Sequence, residues 1–276
     1  MKILAIIVTY YPHKALLWEN IEAIINNVEK IIIWENTPAE ESLKFRFPPN
    51  IKIEYASNNI NSISKALNFG WKYAREKGYD SLLTMDQDSV WGSFSAFLEK
   101  VTSLYGDNKI YAPTIVPGKY ENNESFVVDW TITSGMLVPI SVLNLVGGYC
   151  ELFNIDGIDM DFCLKAKEHN ISVVIIRKGI LHQRYGIPMV RYIMGKRITC
   201  SNYMPFRLYE IIYSHIIIFF VHKMSIKSRI WIVRQCVVEI PMKILLFEDN
   251  KIKKLKAICS GYKRAFLVIV KKQYKR

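Results

Sequence analysis

"SLLTMDQDS" (residues 81–89) is a short, largely apolar run that stops on two aspartates separated by one glutamine. Its first six residues have the length and composition of a buried strand, too short for a helix of ordinary size. A buried strand ending in Asp86 and Asp88 sets two like charges side by side at its tip. Similar runs lie upstream: "ILAIIV" (3–8), "KIIIWEN" (30–36) and "IKIEYAS" (51–57). Between them, "LLWENIEAIINNV" (16–28) and "SISKALNFGWKYAREKG" (62–78) repeat apolar residues at helical spacing, the second ending on a glycine. Strands alternating with helices predict an α/β fold with a mostly parallel, Rossmann-like sheet flanked by helices.

Sheets of this kind bind ligands beyond the carboxyl ends of their strands. Those ends read Thr9-Tyr10-Tyr11, Glu35-Asn36, Ser57-Asn58-Asn59 and Asp86-Gln87-Asp88, so polar residues converge on one rim. Two carboxylates there can share a divalent cation through hard oxygen ligands, and that cation can hold a diphosphate. The same pattern on a solvated turn would only cap a helix. A glycine-rich turn after the first strand, required by dinucleotide sites, is missing from "VTYYPHKA", and no phosphate-binding G-x-x-x-x-G-K-[ST] loop occurs.

The 276 residues, half of them apolar, suffice for one large core with an extension. The apolar start is too short for a secretory leader, which predicts a cytoplasmic protein. Five widely spaced cysteines without a C-x-x-C pair are expected to be reduced. Charge divides the chain: residues 1–180 hold 17 Lys and Arg against 21 Asp and Glu, whereas residues 181–276 hold 20 against 4. The expected organisation is an α/β domain over 1–200 and a basic helical extension over 201–276.

"IIVTYYP", "WENT", "NNINSISKALNFG", "LLTMDQDS", "TITSGMLVP", "LVGGYCELFNIDGIDMDFCLKAKEHN" and "GILHQRYG" follow one another in an order that resembles inverting family 2 glycosyltransferases of the GT-A fold. "DQDS" followed by "LFNIDGIDMDF" is most similar to the bacterial rhamnosyltransferase-like branch, and the resemblance covers roughly residues 1–200. It implies donor contacts from Thr9, Tyr11, Glu35, Asn59, Asn61, Lys65, Asp86, Gln87 and Asp88, with Glu35 where the family usually has aspartate. It further implies Mn²⁺ or Mg²⁺ held by Asp88, with Asp86 and His182 beside it. Trp130, Ser134, Gly135, Asp156 and Asp161 would face donor sugar or acceptor, and Asp159 would be the base that takes the acceptor's proton. Independently of the resemblance, acids gather at a helix start because its positive end favours them, and Lys65 has the look of an ordinary helix lysine.

The extension reads differently. "LYEIIYSHIIIFFVHK" has only twelve residues between Glu210 and Lys223, short of the roughly 20 needed to span a bilayer. "KSRIWIVRQCVVEIPMKILLF" and "KIKKLKAICSGYKRAFLVIVKKQYKR" interleave apolar and basic residues, the pattern of segments lying on an anionic membrane surface. A helical bundle with a solvated basic face has the same pattern. The resemblance implies a nucleotide-sugar donor, dTDP-L-rhamnose before a UDP-hexose, a lipid-linked glycan acceptor, and a place on the inner face of the plasma membrane. The family's Arg-Asn-like pair is missing from "PFRLYEIIYSH". No nucleic-acid recognition motif is present, and a scaffold without catalysis would carry the same basic tail.

Overall fold

The structure, a computed structural model, describes residues 1–38, 52–57, 61–106, 108–116, 124–184, 189–193 and 195–274. It divides into two compact units: Met1–Asn154 with Ile158–Arg184, and Ile155–Gly157 with Tyr185–Arg276.

The first unit is built on a sheet. Its opening strands β1 (Ile3–Thr9), β2 (Lys30–Glu35), β3 (Ile53–Ala56) and β4 (Ser81–Asp86) are parallel to their neighbours, and helices α1 (Lys14–Ile24) and α2 (Ile63–Glu76) fall between them in sequence. All seven residues of β1 are buried, which places this strand in the interior, where each aliphatic side chain contributes about 1.5–3 kcal/mol. The later strands mix directions: β5 (Val90–Trp91), β6 (Lys109–Val116), β7 (Ser125–Val128), β8 (Met136–Pro139) and β9 (Ser172–His182). Helices α3 (Phe94–Leu104), α4 (Ile140–Val146) and α5 (Ile158–Glu168) lie among them in sequence. The sheet order is β3-β2-β1-β4-β8-β6-β9-β5, with β7 also paired to β9.

Strand direction decides what reaches the rim. Order reverses between β1 and β4, the switch point where open α/β sheets bind ligands. Because β8 runs antiparallel to β4, with Thr84 opposite Met136, its beginning lies at the same end as the finish of β4. β6 is antiparallel to β8 and parallel to β9, so β9 also ends there. One rim thus collects Thr9, Glu35, Asp86, the Ser134-Gly135 turn and His182.

The second unit carries an antiparallel hairpin, β10 (Met189–Ile193) with β11 (Lys196–Cys200), and then helices. These are α6 (Pro205–Val221), α7 (Ile226–Val233), a π-helical segment (Arg234–Glu239), α8 (Ile240–Phe247) and α9 (Lys251–Val270). α6 and α9 approach closely: a Cβ on Gly261 would lie 2.9 Å from the carbonyl oxygen of Tyr209. The run from α7 through α8 buries Ser228, Ile232, Cys236, Ile240 and Ile244, a strict four-residue period that the 3.6-residue α-helix does not keep in register. The wider π turn supplies the difference. Its cause is Pro241: inside a helix its ring clashes with the carbonyl four residues back, that of Val237. The turn opens there, and Ile240 N–H donates to Gln235 five residues back.

The opposite side of this run stands outward and is mostly apolar, with Arg234 exposed in the middle of it. Ile226, Ile230, Val237, Val238, Leu245 and Leu246 are each more than half exposed, and Trp231, Val233 and Met242 nearly so. α9 presents Lys251, Lys253, Lys256, Lys263 and Arg264 to solvent. No helix among the described residues is long and apolar enough to cross a membrane. All five cysteines are free thiols.

Candidate functional site

The tip of β4 is braced from several elements. Asn20, fully buried on the apolar face of α1, donates from Nδ2 to the carbonyl oxygen of Asp86 at 2.7 Å. The Asp86 N–H donates to Ser134 Oγ at 3.0 Å. Gln87 reaches across to the end of β1: its Oε1 accepts from Tyr10 N–H at 2.7 Å and its Nε2 donates to the Tyr10 carbonyl at 3.0 Å. This side chain extends the β1–β4 ladder by one amide and is engaged in bracing. Asp88 is half-buried; burial pushes its carboxyl up, against the pull of the Arg184 charge.

On the β1–β2 side, Thr9 is fully buried and its hydroxyl donates to the Trp34 carbonyl at 3.1 Å. Glu35 is nearly buried at the end of β2, where Ser57 Oγ donates to its carbonyl oxygen at 2.6 Å. Tyr10 and Tyr11 are both about half exposed, edge to face with centroids 4.6 Å apart. Tyr11 adopts φ +47, a left-handed conformation uncommon outside glycine. Thr37 is buried and holds it there, accepting the Tyr11 N–H on Oγ1 at 2.9 Å.

The start of α2 is capped by Ser62, whose hydroxyl accepts the N–H of Lys65. Ser64 donates to the Phe153 carbonyl at 2.6 Å and Ile63 N–H to the Asn154 carbonyl at 2.7 Å. These bonds pin the segment leading into α5 against the start of α2. Asn61 is exposed and Lys65 half-buried; Asn59 lies outside the described residues.

Asp159 and Asp161 both fall in the first turn of α5, but burial separates them. Asp161 is 0% exposed, whereas Asp159 is partly exposed, its Oδ1 accepting the N–H of Met160 at 2.8 Å. Of the two, only Asp159 is open to solvent. Asp156 falls in the second unit, where Arg207 Nε lies 3.5 Å from its Oδ2, so its carboxylate already has a cationic partner. Trp130, partly exposed, lies between Asp129 and Thr131, which tie this stretch to α5: Lys167 Nζ donates to Asp129 at 2.5 Å and Cys163 Sγ to the Thr131 carbonyl at 3.9 Å. The stretch continues to Ser134 and Gly135. Gly135 adopts φ +80, and a Cβ there would lie 2.7 Å from Pro113, so backbone and packing both demand glycine.

His182 closes β9 opposite Val90 and is exposed. Its Nε2 would lie 3.2 Å from a Cβ on Gly92, which leaves room for the ring. Among the described residues no three His, Cys, Asp or Glu side chains form a metal-holding group. Asp86 and Asp88 nonetheless fit a divalent cation of the magnesium type, which takes one or two protein carboxylates and completes its shell with water and substrate phosphates. A half-buried Asp88 whose charge is disfavoured by desolvation is a carboxylate that such a cation would stabilise.

Sequence reasoning did not single out Asn20, Thr37, Ser89 or Gln183. Asn20 had a signal: it is the polar residue on a stripe otherwise formed by Leu17, Ile21 and Ile24.

No family model matches the chain. A curated relative, the dTDP-rhamnosyl transferase RfbF of Shigella flexneri, is 29% identical over 203 residues, covering 63% of this chain and 66% of that protein. The chain therefore spans just under two thirds of that relative. Among solved structures, S. aureus TarS 1–349 in complex with UDP-GlcNAc superposes with a TM-score of 0.59 at 12% identity, covering 96% of this chain and 82% of that one. GalNAc-T7 with UDP, GalNAc and Mn²⁺ gives 0.55 at 9% identity, covering 98% of this chain and 56% of that one. The fold is that of GT-A glycosyltransferases, a mixed, mostly parallel sheet flanked by helices. The resemblance drawn from the sequence motifs thus has a rhamnosyl transferase as its counterpart among curated proteins.

Proposed function

We propose that the protein is an inverting glycosyltransferase that moves L-rhamnose from dTDP-L-rhamnose onto a lipid-linked or polysaccharide acceptor in cell-surface glycan synthesis. The observation that carries the reading is Asp86 and Asp88 at the end of β4, beside the point where strand order reverses, braced from α1, β1 and the turn before β8. The 29% identity to a dTDP-rhamnosyl transferase supports the choice of sugar.

In this reading Tyr10 and Tyr11 offer exposed rings to the base, and Glu35 with Thr9 shapes the floor beneath the nucleoside. Asn61 and Lys65, at the capped start of α2, stand toward the phosphates. Asp88 and Asp86, with His182 near them, hold Mn²⁺ or Mg²⁺. When bound, the cation neutralises charge gathering on the departing nucleoside diphosphate. Asp159 accepts the proton of the acceptor hydroxyl as that oxygen attacks the anomeric carbon from the face opposite the leaving group. Inversion of a β-linked donor gives an α-rhamnoside. Trp130 is the residue assigned to the sugars, since the Ser134 side chain is buried and engaged by Asp86 and Ser89.

The second unit is proposed to rest on an anionic membrane surface, where a lipid-linked acceptor is found. The outward apolar row of α7 to α8 and the exposed lysines of α9 support this, each basic residue near the surface contributing on the order of 1 kcal/mol. Self-association through the same row is opposed by the balance of +16 over residues 181–276.

The reading is tested by ligand-stabilised melting against a panel of nucleotide sugars with and without Mn²⁺, followed by product analysis. Stabilisation by dTDP-L-rhamnose with Mn²⁺ is expected. A UDP-sugar preference would favour a UDP-hexose-dependent enzyme of the same fold, as the UDP complexes of the structural neighbours suggest. Stabilisation by none, with binding to anionic vesicles retained, would favour a membrane-associated scaffold without catalysis.

A further inference from the structure

Gln183, one residue past β9, closes a ring of hydrogen bonds around the aspartate pair. Its own N–H donates to the Val116 carbonyl at 3.1 Å, which fixes its backbone to β6. Its side-chain Nε2 lies 3.3 Å from Asp86 Oδ2 and its Oε1 meets Ser89 Oγ. Ser134 Oγ lies 2.8 Å from Ser89 Oγ and also meets the Asp86 N–H. Chemistry leaves one direction for the protons. An amide turned the other way would point its carbonyl oxygen at the Asp86 carboxylate, which has no proton to give, so Nε2 must face Asp86. Oε1 then faces Ser89, whose hydroxyl must donate. Ser89 in turn accepts from the Ser134 hydroxyl, and Ser134 accepts from the backbone N–H of Asp86. Ser89 and Ser134 are 0% and 1% exposed, so water does not compete for either hydroxyl.

We propose that Gln183 is a positioning residue: through this ring it sets the rotation of the Asp86 carboxylate relative to the Asp86 backbone, and so the geometry in which the aspartate pair receives a nucleoside diphosphate and its divalent cation. The inference rests on the donor-site reading above. It places a geometry-setting contact outside the aspartate motif, 97 residues away in sequence, directly after the strand that ends on His182. Ser89, the fourth residue of "DQDS", acts as the link between the two segments and not as a ligand. A side chain that orients a metal-ligating carboxylate changes metal affinity by about 10–100-fold when removed, and the same range applies here.

The full chain and its Gln183→Met and Gln183→Glu variants are titrated with Mn²⁺ in the presence of dTDP, following the electron paramagnetic resonance signal of free Mn²⁺. Melting without ligand reports the fold. Gln183→Glu keeps the size of the side chain and an acceptor for Ser89 but sets a carboxylate against Asp86. Gln183→Met removes both polar contacts. Both variants are expected to retain Mn²⁺ about 10–100-fold more weakly, with the deficit overcome by raising Mn²⁺, a rescue that a folding defect would not show. Equal Mn²⁺ affinity in wild type and both variants overturns the inference and leaves the donor-site reading standing. A wild type that retains no Mn²⁺ with either dTDP or UDP overturns both. Should Gln183→Met lose its fold, the near-isosteric Gln183→Glu decides the point.

Discussion

At the rim of the sheet, polar side chains are tied to backbone and to one another: Asn20 to Asp86, Gln87 to Tyr10, Thr37 to Tyr11. Along Ile226–Phe247 apolar residues lie on both sides, with Ile232, Ile240 and Ile244 inward and Val237, Val238, Leu245 and Leu246 outward. A water-soluble surface scatters its exposed apolar residues singly, and a continuous row marks an interaction face. The first region spends its hydrogen bonds on fixing geometry, as a chemical site requires. The second leaves apolar area uncovered, as an adsorbing surface requires. In the proposed reading, one chain separates where bonds are changed from where the protein rests.

The sharpest way to break this contrast is to remove charge from the rim. Asp159→Asn is expected to lower turnover by about 10²–10⁴-fold, the range for loss of a general base, while nucleotide-sugar binding by calorimetry stays as in wild type. Asp88→Asn should instead lose metal-supported donor binding. Normal turnover in Asp159→Asn would reassign the base.

Next comes an ionic site in the second unit, outside that run. Lys254 and Glu248 are 3% and 5% exposed at the side chain and 2.9 Å apart. Asn202 joins them, its N–H donating to Glu248 Oε1 at 3.1 Å while its Oδ1 accepts from Lys254. Removing one partner of a buried pair strands the other charge, so Lys254→Met is expected to cost about 3–5 kcal/mol in chemical denaturation. The double change Lys254→Met with Glu248→Leu should recover most of that loss.

A smaller effect tests the outward row directly. Leu245→Ser with Leu246→Ser should lower partitioning onto anionic vesicles by at least about tenfold, since each buried leucine contributes about 1.5–3 kcal/mol, with melting temperature and turnover on a soluble acceptor retained. Raised salt should weaken the same partitioning through the lysines. Undiminished sedimentation with vesicles would remove this segment from the interface.

The smallest effect belongs to an exposed pair. Lys30 Nζ lies 2.8 Å from Glu54 Oε2, and the lysine, joined by the Tyr73 hydroxyl that donates to the same oxygen at 3.1 Å, holds the Glu54 carboxyl below its usual range. A depressed carboxyl contributes stability above its ordinary titration range and loses it as pH falls through the folded-state value. Because the pair is partly solvated, Glu54→Gln should change stability by under about 1 kcal/mol, a difference that vanishes in strongly acid buffer.

Much of the sheet was legible in the sequence. β4 spans the six residues read as a strand, and α2 begins one residue after the serine that caps it. The mixed half was not, because four-residue strands such as β8 carry too little pattern to reveal their direction. The rim was legible as a place, because Thr9, Glu35, Asp86 and His182 close strands that finish at one end of the sheet, whereas burial and hydrogen bonding around it were not. Asp159 and Asp161 look alike in the sequence until burial closes one off, and Gln87 looks like a ligand until Tyr10 claims both ends of its amide. The ring through Gln183 joins residues 97 apart, a distance no local pattern bridges. The π segment also escaped, since a reading at helical spacing presumes a constant turn.

That segment makes the extension sensitive to length in a specific way. Deleting one residue between Arg234 and Glu239 would let the turn tighten to ordinary α geometry with little net rotation downstream, because the wider turn already absorbs one extra residue. Ile240 and Ile244 would keep facing inward. The same deletion in α7 or α8 would instead turn the face beyond it by roughly 100° about the helix axis.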